Sequence, residues 1–270
     1  MLMGGGLSRG MPLRAKIIWD QNTARLLPLP AVANVTRRHG KSQNLVEVAS
    51  IESNEATPAK RGGAAKGNPM TIAHEEAVID PAAVDAIFTQ ARTANSFTGE
   101  VTDEQAQAIY ELAKFGPTAF NSQPLRVTYV RSDEARAKLV DALMPGNRAK
   151  TASAPLVAIL SYDTDWAGQW DNFLPGYNAP KAMYDANPEL TAATGNNNAH
   201  LQAGYFILAV RSLGFAAGPM TGADFGAIDE AFFPAGDQKS FLVVNIGLPA
   251  EGAWGEAKPK FAYEDVVRTV

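Results

Sequence analysis

From residue 80 onward the apolar positions fall into two periods. Asp80-Pro81 predicts a helix start with proline at its first position, and Val84, Ile87, Phe88 and Ala91 follow at helical spacing. After a polar turn, Thr102-Asp103-Glu104-Gln105 opens a second helix. Its apolar face reads Ala106, Ile109, Tyr110, Leu112 and Ala113, and Gly116-Pro117 stops it. Arg126 to Arg131 alternates as a strand, and Ser132-Asp133 caps a third helix through Leu143. Pro155 to Tyr162 is a continuous apolar run, the pattern of a strand buried on both faces. A long irregular stretch, 163–195, is rich in Trp, Tyr, Asn and Pro. A helix over Asn196 to Leu213 then places Leu201, Tyr205, Phe206, Leu208, Ala209 and Leu213 inside, with Gly214 closing it. Gly218 to Gly222 reads as a tight loop, 225–233 as a short helix, Ser240 to Gly247 as a second buried strand, and Tyr263 to Val270 as a closing segment. Helices outnumber strands and interleave with them, which predicts an α+β fold around a central sheet.

The first 69 residues do not share this periodicity. They hold ten Lys/Arg against four Asp/Glu, whereas residues 70–270 hold fourteen against twenty-four. The expected organisation is a disordered basic leader over 1–69, or the product of a misassigned start codon, ahead of one domain over 70–270. The leader lacks the apolar core of a secretory signal, and its Arg and Ser content with few acids gives it a faint transit-peptide character. The acidic remainder has no basic stripe, which argues against nucleic acid as a partner. The apolar runs are too short to span a bilayer, so no membrane role is expected and a cytoplasmic location is.

The chain of 270 residues has no cysteine. That excludes disulfide scaffolds, thiol nucleophiles and Cys-X-X-Cys redox sites, so redox chemistry requires a bound cofactor. The three histidines, His39, His74 and His200, are not at metal-ligand spacing, and His200 reads as a packed or surface residue. Neither a Gly-X-Ser-X-Gly elbow, a phosphate-binding Walker loop nor a strand-borne Gly-X-Gly-X-X-Gly is present. Four polar segments, each read as a loop beside a regular element, stand out: Ala91 to Phe97, Gly116 to Pro124, Asn147 to Lys150, and Lys258 to Lys260. Each has an ordinary reading. Arg92 suits a helix C-terminus, the Asn-Ser-Gln-Pro run suits a turn, and the lysines suit a solvated surface.

Taken together, these segments over 80–270 resemble the FMN-dependent nitroreductase family. The most specific element is Pro117-Thr118-Ala119-Phe120-Asn121-Ser122-Gln123-Pro124. Five further stretches look closest to one branch, the malonic semialdehyde reductases of pyrimidine catabolism (3-hydroxypropanoate dehydrogenases). They are Ala91-Arg92-Thr93 with Asn95, Lys114 to Thr118, Gly218 to Gly222, Ala231-Phe232-Phe233 and Asn245-Ile246-Gly247.

The resemblance implies a nitroreductase-like fold, a mostly antiparallel sheet flanked by helices, in an intertwined homodimer with FMN at the subunit interface. Arg92, Lys258 and Lys260 would meet the flavin phosphate and Thr93 the phosphate or ribityl chain. Asn95, Asn147 and Lys150 would face the pyrimidine side. Pro117, Thr118, Asn121 and Ser122 would come from the partner, as would Pro219, Met220, Thr221 and Gly222, which lie along the ring. Two positions depart from the wider family: Asn95 stands where many members have a cation, and Thr221 where many have Glu. No catalytic role falls to a side chain. Flavin N5 would carry a hydride from NADH or NADPH to a small aldehyde, 3-oxopropanoate, giving 3-hydroxypropanoate. Broad nitro- or quinone-reductase activity on the same fold is the alternative, and a non-catalytic flavin-binding protein is a third reading. A cation must meet the substrate carboxylate, with Arg148 and Arg211 as candidates. The Trp166, Trp170, Phe173 and Tyr177 stretch reads either as a lid or as a packed loop.

Overall fold

The computed structural model describes residues 74–270, so the expectation of a basic leader over 1–69 lies outside the described residues. A short helix α1 (Pro81–Val84) continues as a π-helical turn over Asp85–Thr89. Asp80 caps α1 by accepting from the Ala82 N–H at 2.8 Å. Then come β1 (Phe97–Thr98), α2 (Asp103–Ala113), β2 (Leu125–Val130), α3 (Asp133–Asp141), α4 (Pro145–Ala152) and β3 (Leu156–Asp163). The second half runs α5 (Trp170–Phe173), α6 (Lys181–Asp185), α7 (Pro188–Ser212), β4 (Ala216–Met220), α8 (Phe225–Phe232), β5 (Gln238–Pro249) and α9 (Tyr263–Val266). The start of α2 is the capping box that its sequence encodes: Thr102 accepts from the Gln105 N–H, and the Gln105 side chain accepts from the Thr102 N–H.

The sheet order is β1-β5-β3-β2, with β4 pairing β5 beside β1, and every pairing is antiparallel. β3 and β5 lie in the middle. Side chains alternate across a strand, so Leu156, Ala158 and Leu160 face α2 and α7 with Ile109, Ala203 and Phe206, while Val157 and Ile159 face the other layer with Leu139 and Ile228. All five β3 residues are fully buried, as the unbroken apolar run requires.

Four local expectations are revised. α7 begins at Pro188, eight residues before Asn196, because Asn187 caps it and proline takes the first position. Its early turns, Thr191 to Asn197, carry few apolar residues and so lack a visible period. Its buried side is Asn198, Ala199, Gln202, Ala203, Phe206, Ala209 and Val210, whereas Leu201, Tyr205 and Leu213 are exposed. Tyr110, Leu112 and Phe88 are likewise exposed, so these apolar positions continue past the core onto the surface. Gly218, Pro219 and Met220 belong to strand β4 and not to a loop; proline is tolerated because β4 pairs on one side only. Asn147 and Lys150 sit on α4, a helix hidden by Pro145, Gly146 and the absence of apolar spacing.

Candidate functional site

The structure sorts the predicted site residues into two groups. The first lies at the β1/β4 edge. Past α1 the chain runs beside the segment after β5: the Asn95 N–H donates to the Ala253 carbonyl at 3.0 Å, and the Ala250 N–H to the Ser96 carbonyl at 3.3 Å. Ala94 is fully buried against β4. Gly218 eases this approach, because a Cβ there would stand 3.1 Å from the Phe97 ring and 3.3 Å from the Ala94 carbonyl oxygen. Arg92 is half-buried, and its Nη1 donates to the carbonyls of Thr89 and Ala91 at 2.9 Å each. These bonds tie the side chain to the end of the π-helical turn, where a cation is favoured. Thr93 and Asn95 are exposed.

α4 closes the group from the other side. Asn147 Nδ2 donates to the Gly222 carbonyl at 2.9 Å, and the Met144 N–H donates to the same oxygen at 3.0 Å. A Cβ on Gly222 would lie 2.6 Å from Asn147 Nδ2, so any larger residue would push the Asn147 amide from its place. One turn on, Thr151 is buried and bridges Asn245 Nδ2 (3.1 Å) and Met220 Sδ (3.6 Å). Lys150 is half-buried and forms no ion pair among the described residues. Asn147 and Gly222 touch within one chain. The resemblance puts Pro219, Met220, Thr221 and Gly222 on the opposite subunit from Asn147, whereas here Gly222 bonds to Asn147 and Met220 to Thr151 of the same chain. Lys258 and Lys260 are exposed on the segment leading to α9.

The second group is the Pro117 to Pro124 turn at the start of β2, on the opposite sheet edge. Three of its non-glycine residues adopt left-handed backbone: Phe120 (φ 56°), Asn121 (φ 59°) and Gln123 (φ 44°). Such strain persists only where surroundings over-determine it, and here they do. Asn198 on α7 accepts from the Ala119 N–H at 2.7 Å, Gln202 accepts from the Leu125 N–H at 3.0 Å, and Thr118 Oγ1 accepts from the Gln123 N–H at 3.2 Å. Phe120 packs on Trp170 and Tyr184, with ring centroids 5.7 and 6.3 Å away. Asn121 Nδ2 donates to the Phe173 carbonyl at 3.3 Å. Trp166 and Trp170 are buried in this same aromatic cluster, so the segment after β3 is a packed support for the turn. Pro117 and Asn121 are exposed. Ser122 differs: it is 4% exposed, and its Oγ has no partner, so its side chain points inward.

β5 and β3 separate the two groups. Three strand spacings put them roughly 14 Å apart within one chain. Asn198 and Gln202, the residues that pin the turn, were not among the candidates. Their signal is two amides at i, i+4 on the buried face of an apolar helix, which a reading of apolar spacing passes over.

The two cations considered for a substrate carboxylate are each bonded to backbone carbonyls. Arg148 donates from Nε to the Leu143 carbonyl at 2.8 Å and from Nη2 to the Asp141 carbonyl at 3.2 Å, closing the end of α3. Arg211 donates to the Ile87 carbonyl at 3.2 Å, and burial pulls its pKa below the usual range. His200 is a surface residue stacked on Phe241 at 4.1 Å. Among the described residues no helix is long and apolar enough to cross a membrane.

Comparison with known proteins decides the lineage. Residues 96–248 match the model of the Nitroreductase family. The chain belongs to the nitroreductase family. A provisionally named NADH dehydrogenase/NAD(P)H nitroreductase of Streptomyces coelicolor is 51% identical over 194 residues, covering 72% of this chain and 98% of the relative. A protein of the same name from Rhodopseudomonas palustris is 40% identical over 188 residues, covering 69% and 95%. Among solved structures, a nitroreductase-type protein of Bacillus subtilis superposes with a TM-score of 0.64 at 19% identity, covering 70% of this chain and 99% of that one. One from Exiguobacterium sibiricum, solved in complex with FMN, gives 0.62 at 18% identity, covering 70% and 95%. At such identities the superpositions establish a nitroreductase-like fold.

Proposed function

We propose that this nitroreductase-family chain is an FMN-dependent NAD(P)H oxidoreductase whose site is completed by a second copy of itself. The observation that carries the reading is the β4-edge cradle. There Gly222 lies close under the Asn147 amide, Lys150 follows one turn later, and Arg92 lies on the segment packed along β4. The donor set fits the cofactor. Arg92, Lys258 and Lys260 supply cations for a phosphate dianion, and Thr93 a hydroxyl beside it. Asn147 Nδ2 is already committed to Gly222, which leaves Oδ1 to accept from an imide N–H. Lys150 brings positive charge to the side where a reduced ring gathers negative charge. Asn95 adds only a neutral side chain, so that task falls to Lys150. Pro219, Met220, Thr221 and Gly222 form the wall along the ring.

Bound there, FMN supplies two-electron chemistry, taking up a hydride from NADH or NADPH and passing it to an acceptor. Pro117, Thr118 and Asn121 cannot reach this cradle across three strand spacings, so they serve the site of a partner copy. The relatives' names and the FMN-bound neighbour support the flavin and nicotinamide assignments. Within this activity we assign 3-oxopropanoate as the acceptor, on the branch residues Arg92-Thr93 with Asn95 and Thr221-Gly222. The relatives' naming favours nitro compounds as a second reading.

The test is direct. The purified protein is expected to be yellow and dimeric, to bleach with NAD(P)H under nitrogen, and to recover its colour on adding 3-oxopropanoate. Reoxidation by a nitroaromatic but not by the aldehyde replaces the first acceptor with the second. Colourless protein that takes up no FMN overturns the whole reading, and Arg92→Ala is expected to lose most of the bound flavin.

A further inference from the structure

A cavity of about 260 Å³ lies where α2, the Pro117–Pro124 turn, α5 and α7 meet. Lys114, Ser122, Gln123, Arg126, Phe173 and Gln202 are among its walls, and no Asp or Glu lines it. One of these groups is buried and lacks a partner. Ser122 is 4% exposed with an unbonded Oγ. Gln202, also 4% exposed as a residue, spends Oε1 on the Leu125 N–H. Leaving a group such as Ser122 Oγ unpaired destabilises the fold, and a ligand that accepts its hydrogen bond would remove that cost.

The two cations are placed at the rim by carboxylates outside the cavity. Arg126 is fixed by Asp163 and by its bonds to the carbonyls of Gln123 and Leu125, 3.0 Å each. Lys114 pairs with Glu111, whose hydrogen bond raises the ammonium pKa. The walls therefore present hydrogen-bond donors and two cations, each with a carboxylate behind it, and Phe173 as an apolar side: a lining suited to a small carboxylate.

We propose that this cavity is an anion subsite that holds the carboxylate of a small acceptor, contributed by the subunit whose Pro117–Pro124 turn serves its partner's flavin. The role left vacant by Arg148 and Arg211 then falls to Lys114 and Arg126, with Ser122 Oγ and Gln202 Nε2 as inner donors. This assignment rests on the oxidoreductase reading for its purpose, but its binding chemistry stands apart from the flavin.

The experiment titrates malonate into the purified full-length protein, followed by calorimetry and by tryptophan emission, since Trp170 packs on Phe173 at 5.3 Å. Malonamide, of similar shape but uncharged, is the control. Saturable binding of one malonate per chain is expected, with none for malonamide. Lys114→Met is expected to weaken it about tenfold, and Glu111→Gln, which frees Lys114, to tighten it. With flavin-loaded enzyme, Lys114→Met is expected to lower the ratio of kcat/KM for 3-oxopropanoate to that for a neutral quinone by a similar factor. Absence of saturation, equal binding of malonamide, or malonate affinity indifferent to both substitutions overturns the subsite. Flavin-free protein that binds malonate in this pattern keeps the subsite and sinks the oxidoreductase reading; yellow, active enzyme that ignores malonate does the reverse.

Discussion

The β4-edge cradle and the Pro117–Pro124 turn hold their residues by opposite means. The cradle is made from regular elements: β4 hydrogen-bonded to β5, α4 laid across it, and close approaches allowed by Gly218 and Gly222. Its geometry comes with the sheet. The turn has no ladder. Three left-handed non-glycine residues are kept in place by amides of α7 and by an aromatic cluster. A site on regular elements is rigid by default, whereas a strained turn is only as rigid as its supports. The difference teaches that perturbing remote supports should damage the turn first and leave the cradle able to hold what it binds.

The largest effect is expected from Trp170→Ala. Trp170 is fully buried and packs on Trp166, Phe173, Tyr184 and Phe120. Removing the ring should cost about 3–5 kcal/mol, read as a lowered denaturation midpoint. Proteolytic cleavage should open within 117–124 before it appears at 218–222. Cleavage in the reverse order breaks the comparison. Asn198→Leu comes next. It strips the Ala119 N–H of its acceptor and should cost about 1–3 kcal/mol, again with exchange of turn amides rising and those of β4 unchanged.

This contrast also marks what was legible in the sequence. The buried strands, the capped start of α2 and the α+β class were readable because burial and capping leave local patterns. The Pro117–Pro124 motif was readable as a motif, and the turn's residues as candidates. Its supports were not, because Asn198 and Gln202 are defined by backbone groups 79 and 77 residues away. β4 was misread since glycine and proline there serve a close approach and a one-sided pairing. The union of Asn147 with Gly222 spans 75 residues and appears only once α4 lies on β4.

Strain in the turn can be isolated at Phe120. Phe120→Ala loses the ring contacts and keeps a left-handed Cβ; Phe120→Gly loses the same contacts and sheds that penalty. The glycine variant should therefore be more stable than the alanine variant by about 1 kcal/mol, the reverse of the order in ordinary helix or strand positions. Equal midpoints for the two variants would show that the turn carries no conformational strain.

The smallest stability effect belongs to the cradle. Lys150 makes no ion pair among the described residues, so Lys150→Ala should shift stability by no more than about 0.5 kcal/mol. Its charge is held half-buried on α4, one turn beyond Asn147. If that charge serves bound flavin, the variant should weaken FMN by about tenfold to a hundredfold, measured by fluorescence quenching at fixed salt. The two readouts must part company. A side chain kept for the fold would lower the midpoint and spare the flavin, and one that merely solvates the surface would move neither. Loss of affinity at an unchanged midpoint is the signature of a group carried by a rigid element for a ligand alone, and it is the outcome that separates the cradle from the turn, where affinity and stability should fall together.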